Sequence, residues 1–149
     1  MVRQIPLSEV ASLAGQELGV SAWHQVTQSQ INQFADATGD FEWLHVDVAR
    51  ATREMGGTVA HGFLTLSLLP ALWGQIARVT GYSGGYSYGL DRVRFTSPVK
   101  EGARVRLRVT LLPPKEKQNG TLVGINCVVE VEGQERPALI ADWYELFFP

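Results

Sequence analysis

From His61 to Val79 the chain is apolar on nearly every side of a helix: Phe63, Leu66, Leu69, Ala71, Leu72, Trp73, Ile76 and Ala77. A helix of that kind has no face to offer water, so the rest of the chain must wrap it. Pro70 lies inside it without a backbone N–H and predicts a kink. The best apolar run, Phe63 to Trp73, holds Thr65, Ser67 and Pro70 and falls well short of the ~20 residues of a membrane span. Gly81-Tyr82-Ser83-Gly84-Gly85-Tyr86 predicts a flexible loop at its end, with Gly81, Gly84, Gly85 and Gly89 as loop residues.

The wrapping material follows at once. Val105, Leu107, Val109 and Leu111 alternate with Arg104, Arg106, Arg108 and Thr110, the period-two mark of a half-buried strand. Val123, Ile125, Cys127, Val129 and Val131 repeat it, and 113–120 reads as the hairpin loop between them. Ser87 to Phe95 and Ala138 to Phe148 supply two further strands. Strands clustered after helices and joined by short polar turns predict an α+β fold with an antiparallel sheet. No repeat, low-complexity tract or charge block divides the 149 residues, so 1–149 is expected to form one domain.

Composition narrows the function classes. Thirteen Lys plus Arg against fifteen Asp plus Glu give a net charge of −2, which argues against a nucleic-acid partner. One cysteine, Cys127, excludes an internal disulfide framework and a Cys-rich zinc site. It falls on the apolar face of a strand, where a thiol is packing rather than nucleophile. Met1 to Pro6 is too polar for a signal-peptide core. The expectation is a soluble, cytoplasmic protein without a membrane partner.

In the first half, Thr27 and Gln30 fit a capping box at the start of a helix. Ile31, Phe34, Ala35 and Thr38 give that helix an apolar face, and Gly39 stops it. Asp47 is a good N-cap for a second helix ending before Gly56-Gly57. Around these lie Asp36, Asp40, Glu42, His45, Asp47 and His61. Asp40 and His45 fall in the connection after the first helix, where loop geometry can aim both into a cleft. A carboxylate beside an imidazole can orient a water and move protons, the carboxylate raising imidazole basicity. Spacing alone leaves open a surface Asp and a merely hydrogen-bonded His.

A metal reading of His45, Asp47 and His61 is weaker, because Asp47 has a capping role and no His-Glu-x-x-His pattern is present. No Gly-x-Ser-x-Gly elbow or phosphate-binding glycine loop appears. Gly62, at the first turn of the apolar helix, would let a ligand approach unpaired N–H groups and could stabilise an oxyanion. The alternative is that Gly62 only permits close packing. His61 beside it reads as a helix-start or supporting residue.

Phe34-Ala35-Asp36-Ala37-Thr38-Gly39-Asp40, Leu44-His45-Val46-Asp47 and Ala60-His61-Gly62-Phe63 together resemble the MaoC-like family of (R)-specific enoyl-CoA hydratases and 3-hydroxyacyl-thioester dehydratases. Thr65 to Pro70 and Tyr88 to Phe95 are similar to its nodulation-protein-N-like branch, and the likeness spans about residues 20 to 147. The resemblance implies a hot-dog fold, a long central helix wrapped by an antiparallel sheet, working as a homodimer. It implies Asp40 and His45 as catalytic residues and Gly62 as the oxyanion and substrate-binding residue, with no metal, flavin or nicotinamide. The implied substrate is an acyl-CoA or acyl-carrier-protein thioester. Glu42 and Trp43 stand where the family motif often has Asn-Pro, and Pro70 stands where some members carry an acyl-pocket serine. Two other readings compete: a hot-dog acyl-thioesterase, disfavoured because residues 61–79 hold no Asp or Glu, and a non-catalytic acyl-binding module.

Overall fold

The computed structural model describes residues 1–149. An antiparallel sheet carries β2 (Glu17–Val20), β3 (His24–Gln25), β5 (Gly84–Phe95), β6 (Arg104–Leu111), β7 (Lys115–Lys117), β8 (Gly120–Val131) and β9 (Leu139–Phe148). Its main order is β2-β6-β8-β9-β5, with β3 also on β6 and β7 on β8. β1 (Arg3–Pro6) pairs separately and in parallel with β4 (Ala77–Thr80). The helices are α1 (Gln28–Thr38), α2 (Trp43–Val46), α3 (Val48–Met55), α4 (Gly62–Ser67) and α5 (Leu69–Trp73).

The period-two alternation folds as read. Val105, Leu107, Val109 and Leu111 stand opposite Val131, Val129, Cys127 and Ile125, all buried on one face. Against that face pack Leu64, Leu68, Leu69, Leu72 and Trp73 from the α4–α5 segment. The result is the α+β hot-dog arrangement, a helix wrapped by an antiparallel sheet.

The central helix is shorter than its apolar composition suggests. It runs from Gly62 only to Trp73 and is interrupted at Leu68, although Leu68 N–H donates to Leu64 O (3.2 Å) and Leu72 N–H to Leu68 O (3.0 Å). Pro70 sits in the first turn of α5, the one place in a helix where its missing N–H costs little. Beyond Gly74, Ala77 to Thr80 leave the helix as β4, because pairing with β1 offers Val79 and Thr80 the extended backbone that β-branched residues favour.

The glycine-rich stretch is also more ordered than a loop. Gly84, Gly85 and Gly89 belong to β5, and only Gly81 lies outside a strand. A Cβ on Gly85 would meet Phe147 Cδ1 at 2.6 Å, so glycine there permits close strand packing. In the 113–120 hairpin, β7 forms and Gln118 and Asn119 turn the chain at φ 52° and 61°. No helix is long and apolar enough to cross a membrane.

Candidate active site

Three capping choices bring the site together. Thr27 Oγ1 accepts from Gln30 N–H at 3.2 Å, and Gly39 closes α1 in the left-handed conformation. The capping box is half used, because the Gln30 side chain turns to His24 Nε2 (3.0 Å). Asp47 Oδ1 accepts from Arg50 N–H at 3.0 Å and starts α3, so it caps rather than ligates. Between α1 and α3 sits α2, a single helical turn that carries His45. That turn is absent from the spacing-based expectation, which places His45 in an open connection. Four residues are too few to show a helical period.

His45 is fixed on two sides. Its Nδ1–H donates to Val59 O at 2.6 Å, while Val59 N–H donates to Leu44 O at 3.1 Å. A carbonyl only accepts, so Nδ1 carries the proton and Nε2 presents a free lone pair. Gln28, the first residue of α1, donates to His45 O (2.8 Å) and accepts from Thr58 Oγ1 (2.5 Å), tying three segments together. Gln28 and Thr58 stand 30 residues apart with no spacing signal, so sequence reasoning misses them.

The His45 ring stacks on His61, with centroids 3.8 Å apart and planes at 24°. His61 is 2% exposed and forms the N-cap position of α4. Its Nε2–H donates to Asp40 O at 3.0 Å and lies 3.9 Å from Asp40 Oδ2. Asp40 keeps about half its side chain exposed, with Oδ1 accepting weakly from Glu42 N–H at 3.3 Å. The ligand atoms of Asp40, His45 and His61 all lie within 4.8 Å of one another. Asp40 and His45 therefore meet as the motif spacing suggests, and His61 joins them. Asp36 and Glu42 are exposed and make no side-chain bond to the cluster.

This trio is a poor metal cage. His45 Nδ1 and His61 Nε2 are committed to carbonyl oxygens, and His61 Nδ1 is buried without a partner. With the uncommitted His61 Nδ1 closed off by burial, only His45 Nε2 and the Asp40 carboxylate stay accessible, fewer than the three or four protein ligands of a zinc site.

Gly62 follows His61 as the first residue of α4, where its N–H has no intrahelical partner. The Phe95 ring already uses the space that glycine leaves: a Cβ on Gly62 would sit 3.0–3.1 Å from three of its atoms. Phe95 is half exposed and meets Phe63 edge-on at 5.9 Å. Close packing at Gly62 is therefore real. Two cavities flank the helix. One of about 250 Å³ lies at its start, lined by Gly62, Thr65 and Phe95. The other, about 310 Å³, lies one turn on, lined by Leu66, Pro70, Leu90 and Trp143.

Residues 9–132 match the MaoC like domain. The chain belongs to the MaoC-like family. It is 44% identical over 138 residues to 3-hydroxyacyl-thioester dehydratase Z of Mycobacterium tuberculosis, covering 91% of each protein. It is 47% identical over 146 residues to Nodulation protein N of Rhizobium leguminosarum bv. viciae, covering 95% of this chain and 91% of that protein. The (R)-hydratase of A. caviae involved in PHA biosynthesis shares the fold, with a TM-score of 0.71 at 22% identity over 91% of this chain and 96% of that one. Within a MaoC-like framework, Pro70 now has a place: it lines the second cavity beside Leu66 and Trp143.

Proposed function

We propose that this MaoC-like chain is a hydro-lyase that reversibly hydrates trans-2-enoyl thioesters to (R)-3-hydroxyacyl thioesters. Family membership and the dehydratase name of a 44% identical relative support a hydratase or dehydratase. The observation that carries the reading is the His45 tautomer. With Nδ1–H held by Val59 O, the basic Nε2 is left unpartnered on a ring whose ligand atoms cluster with the Asp40 carboxylate.

A water between the two can give hydrogen bonds to both acceptors, which raises its nucleophilicity. Its oxygen bonds to the β-carbon, and the C=C π pair moves toward the thioester carbonyl. One water proton passes to His45 Nε2 and returns to the α-carbon, so one H and one OH are added. Dehydration retraces the same steps. The enolate oxygen that develops is placed at the Gly62 N–H, an interaction worth about 10²–10³ in rate for such donors. The acyl chain takes the apolar cavity beside Leu66, Pro70 and Trp143. No metal, flavin or nicotinamide enters, and the thioester comes from CoA or an acyl carrier protein.

The 149 residues act as one unit and work as a cytoplasmic homodimer. β5 is an edge of the sheet paired only with β9, and it leaves Tyr86, Tyr88, Leu90 and Phe95 exposed. Such an edge invites a second copy. Light scattering at micromolar concentration should give twice the 16.4 kDa chain mass.

Crotonyl-CoA tests the chemistry. Loss of the enoyl thioester absorbance without release of free thiol is the expected result. Thiol release would assign a thioesterase instead, and silence in both readouts would assign an acyl-binding module.

A further inference from the structure

The His61 side chain touches both members of the Asp40–His45 pair. It hydrogen-bonds the Asp40 carbonyl at 3.0 Å and stacks on the His45 ring at 3.8 Å. Its own backbone carbonyl accepts from Leu64 and Thr65 N–H, so it is built into the first turn of α4 beside Gly62. No other group donates to the Asp40 carbonyl, and the Asp40 side chain has only the weak bond from Glu42 N–H beside the 3.9 Å approach of His61 Nε2. We infer that His61 is a positioning residue for the proposed hydration: it fixes Asp40 through Nε2–H, braces His45 by stacking, and ties both to the Gly62 N–H.

Three features distinguish this from a core histidine. First, a core role would satisfy both ring nitrogens, yet Nδ1 is buried with no partner beside the Phe34 ring (centroids 4.9 Å). Leaving a buried polar atom unpaired costs about 1–3 kcal/mol. An aromatic hydrocarbon would fill the same pocket without that cost, so the Nε2 contact is what the imidazole adds. Second, the contact is to a backbone carbonyl at the turn after α1, which sets where the whole Asp40 residue sits. Third, the two rings use opposite nitrogens, His45 Nδ1–H and His61 Nε2–H, each toward a carbonyl. That leaves the His45 Nε2 lone pair free of competition from its stacked neighbour.

The inference rests on the hydration reading for its kinetic part and on geometry alone for its spectroscopic part. His61→Phe keeps the stack and the apolar fit but removes the donor, and His61→Gln restores an N–H at the reach of Nε2. His61→Phe should melt with the wild type, lower kcat about 10²-fold and leave KM nearly unchanged, the scale expected when a reacting group drifts by about 1 Å. His61→Gln should recover most of that loss. Imidazole ¹⁵N spectra of the wild-type protein should show His61 protonated at Nε2 and His45 at Nδ1. Wild-type kcat in folded His61→Phe, a His61→Gln variant no better than His61→Phe, or a His61 proton on Nδ1 would each overturn the assignment. If His61→Phe does not fold, His61→Gln and the spectra decide. A wild-type protein inactive on crotonyl-CoA would sink the hydration reading, while the spectra would still answer for His61.

Discussion

On the outer face of β6 and β8, arginines and carboxylates stand in register: Arg104 with Glu132, Arg106 with Glu130, and Arg108 with Glu130 and Glu17. Partial burial pushes the Glu130 carboxyl up, but hydrogen bonds from Arg108 and Arg106 outweigh it and hold the group below the usual carboxylate range. In the Asp40–His45–His61 cluster the polar groups are held differently. Each site side chain has one strong bond at most, and that bond goes to a backbone carbonyl or N–H. His61 Nδ1 has none. The outer face of β6 and β8 pairs its charges with one another. Asp40, His45 and His61 are instead anchored to the backbone, and that leaves His45 Nε2 unpartnered. Stability and the proposed reactivity are thus divided between two parts of one small fold.

The division predicts that damage to one region spares the other. Leu107 is fully buried at the centre of β6, opposite Val129. Leu107→Ala should lower unfolding free energy by about 2–5 kcal/mol through lost burial and the cavity left behind. Urea titration should show that loss, with kcat little changed wherever the protein remains folded. A large fall in kcat with stability intact would mean that the sheet core shapes the site directly.

Asp40→Asn and His45→Gln make the reverse cut. Each should lower kcat by about 10²-fold, the scale of a lost general acid or base. Exposed Asp40 contributes little to packing, so Asp40→Asn should melt within about 0.5 kcal/mol of wild type. If both groups act on one water, as proposed, the double variant should be little worse than the worse single one. Near wild-type crotonyl-CoA hydration by either folded variant would remove the pair from the mechanism.

The two regions also differ in how far they can be read from sequence. The sheet is legible because a period of two survives along the eight residues of β6 and from Ile125 to Val131 in β8, and buries one face completely. The helix caps at Thr27 and Asp47 are legible because capping is local chemistry. The length of the central helix is not: strand pairing of Ala77–Thr80 with β1 is a tertiary choice that overrides apolar helical content. In the site, Asp40 and His45 are legible from motif spacing. The Val59 carbonyl, Gln28 and Thr58 are not, because they meet only after the chain has folded.

Gly62 lies at the border of the two regions, and a substitution there tests both. A Val side chain must displace the half-exposed Phe95 ring, which no core residue of the chain encloses, so the protomer fold should hold, and light scattering should check that the proposed dimer does too. With the approach to the Gly62 N–H blocked, kcat should drop at least tenfold, about 1.4 kcal/mol of barrier. Unchanged kinetics would assign Gly62 to packing against Phe95 alone.

The smallest effect comes from a partly buried carboxylate on the inner side of the sheet. Glu145 stands opposite Val123 and Ser87 on the face of β9 that packs toward α5, where it lines a cavity of about 200 Å³ with Trp73 and Trp143. It forms no ion pair, unlike Glu130 and Glu132, and burial alone pushes its carboxyl above the usual range. A folded-state value above the unfolded one means that the native protein binds the proton more tightly. Stability is therefore fully kept below the unfolded carboxyl range near pH ~4.3 and declines as pH rises through the higher folded value. Glu145→Gln mimics the protonated form and should remove that decline. At pH 7 the variant should melt slightly above wild type, and the gap should close as the pH is lowered toward 4. A gap that is constant with pH would mean that Glu145 pays no desolvation cost as an anion, and that the inner face of β9 is as well matched to charge as the outer face of β6.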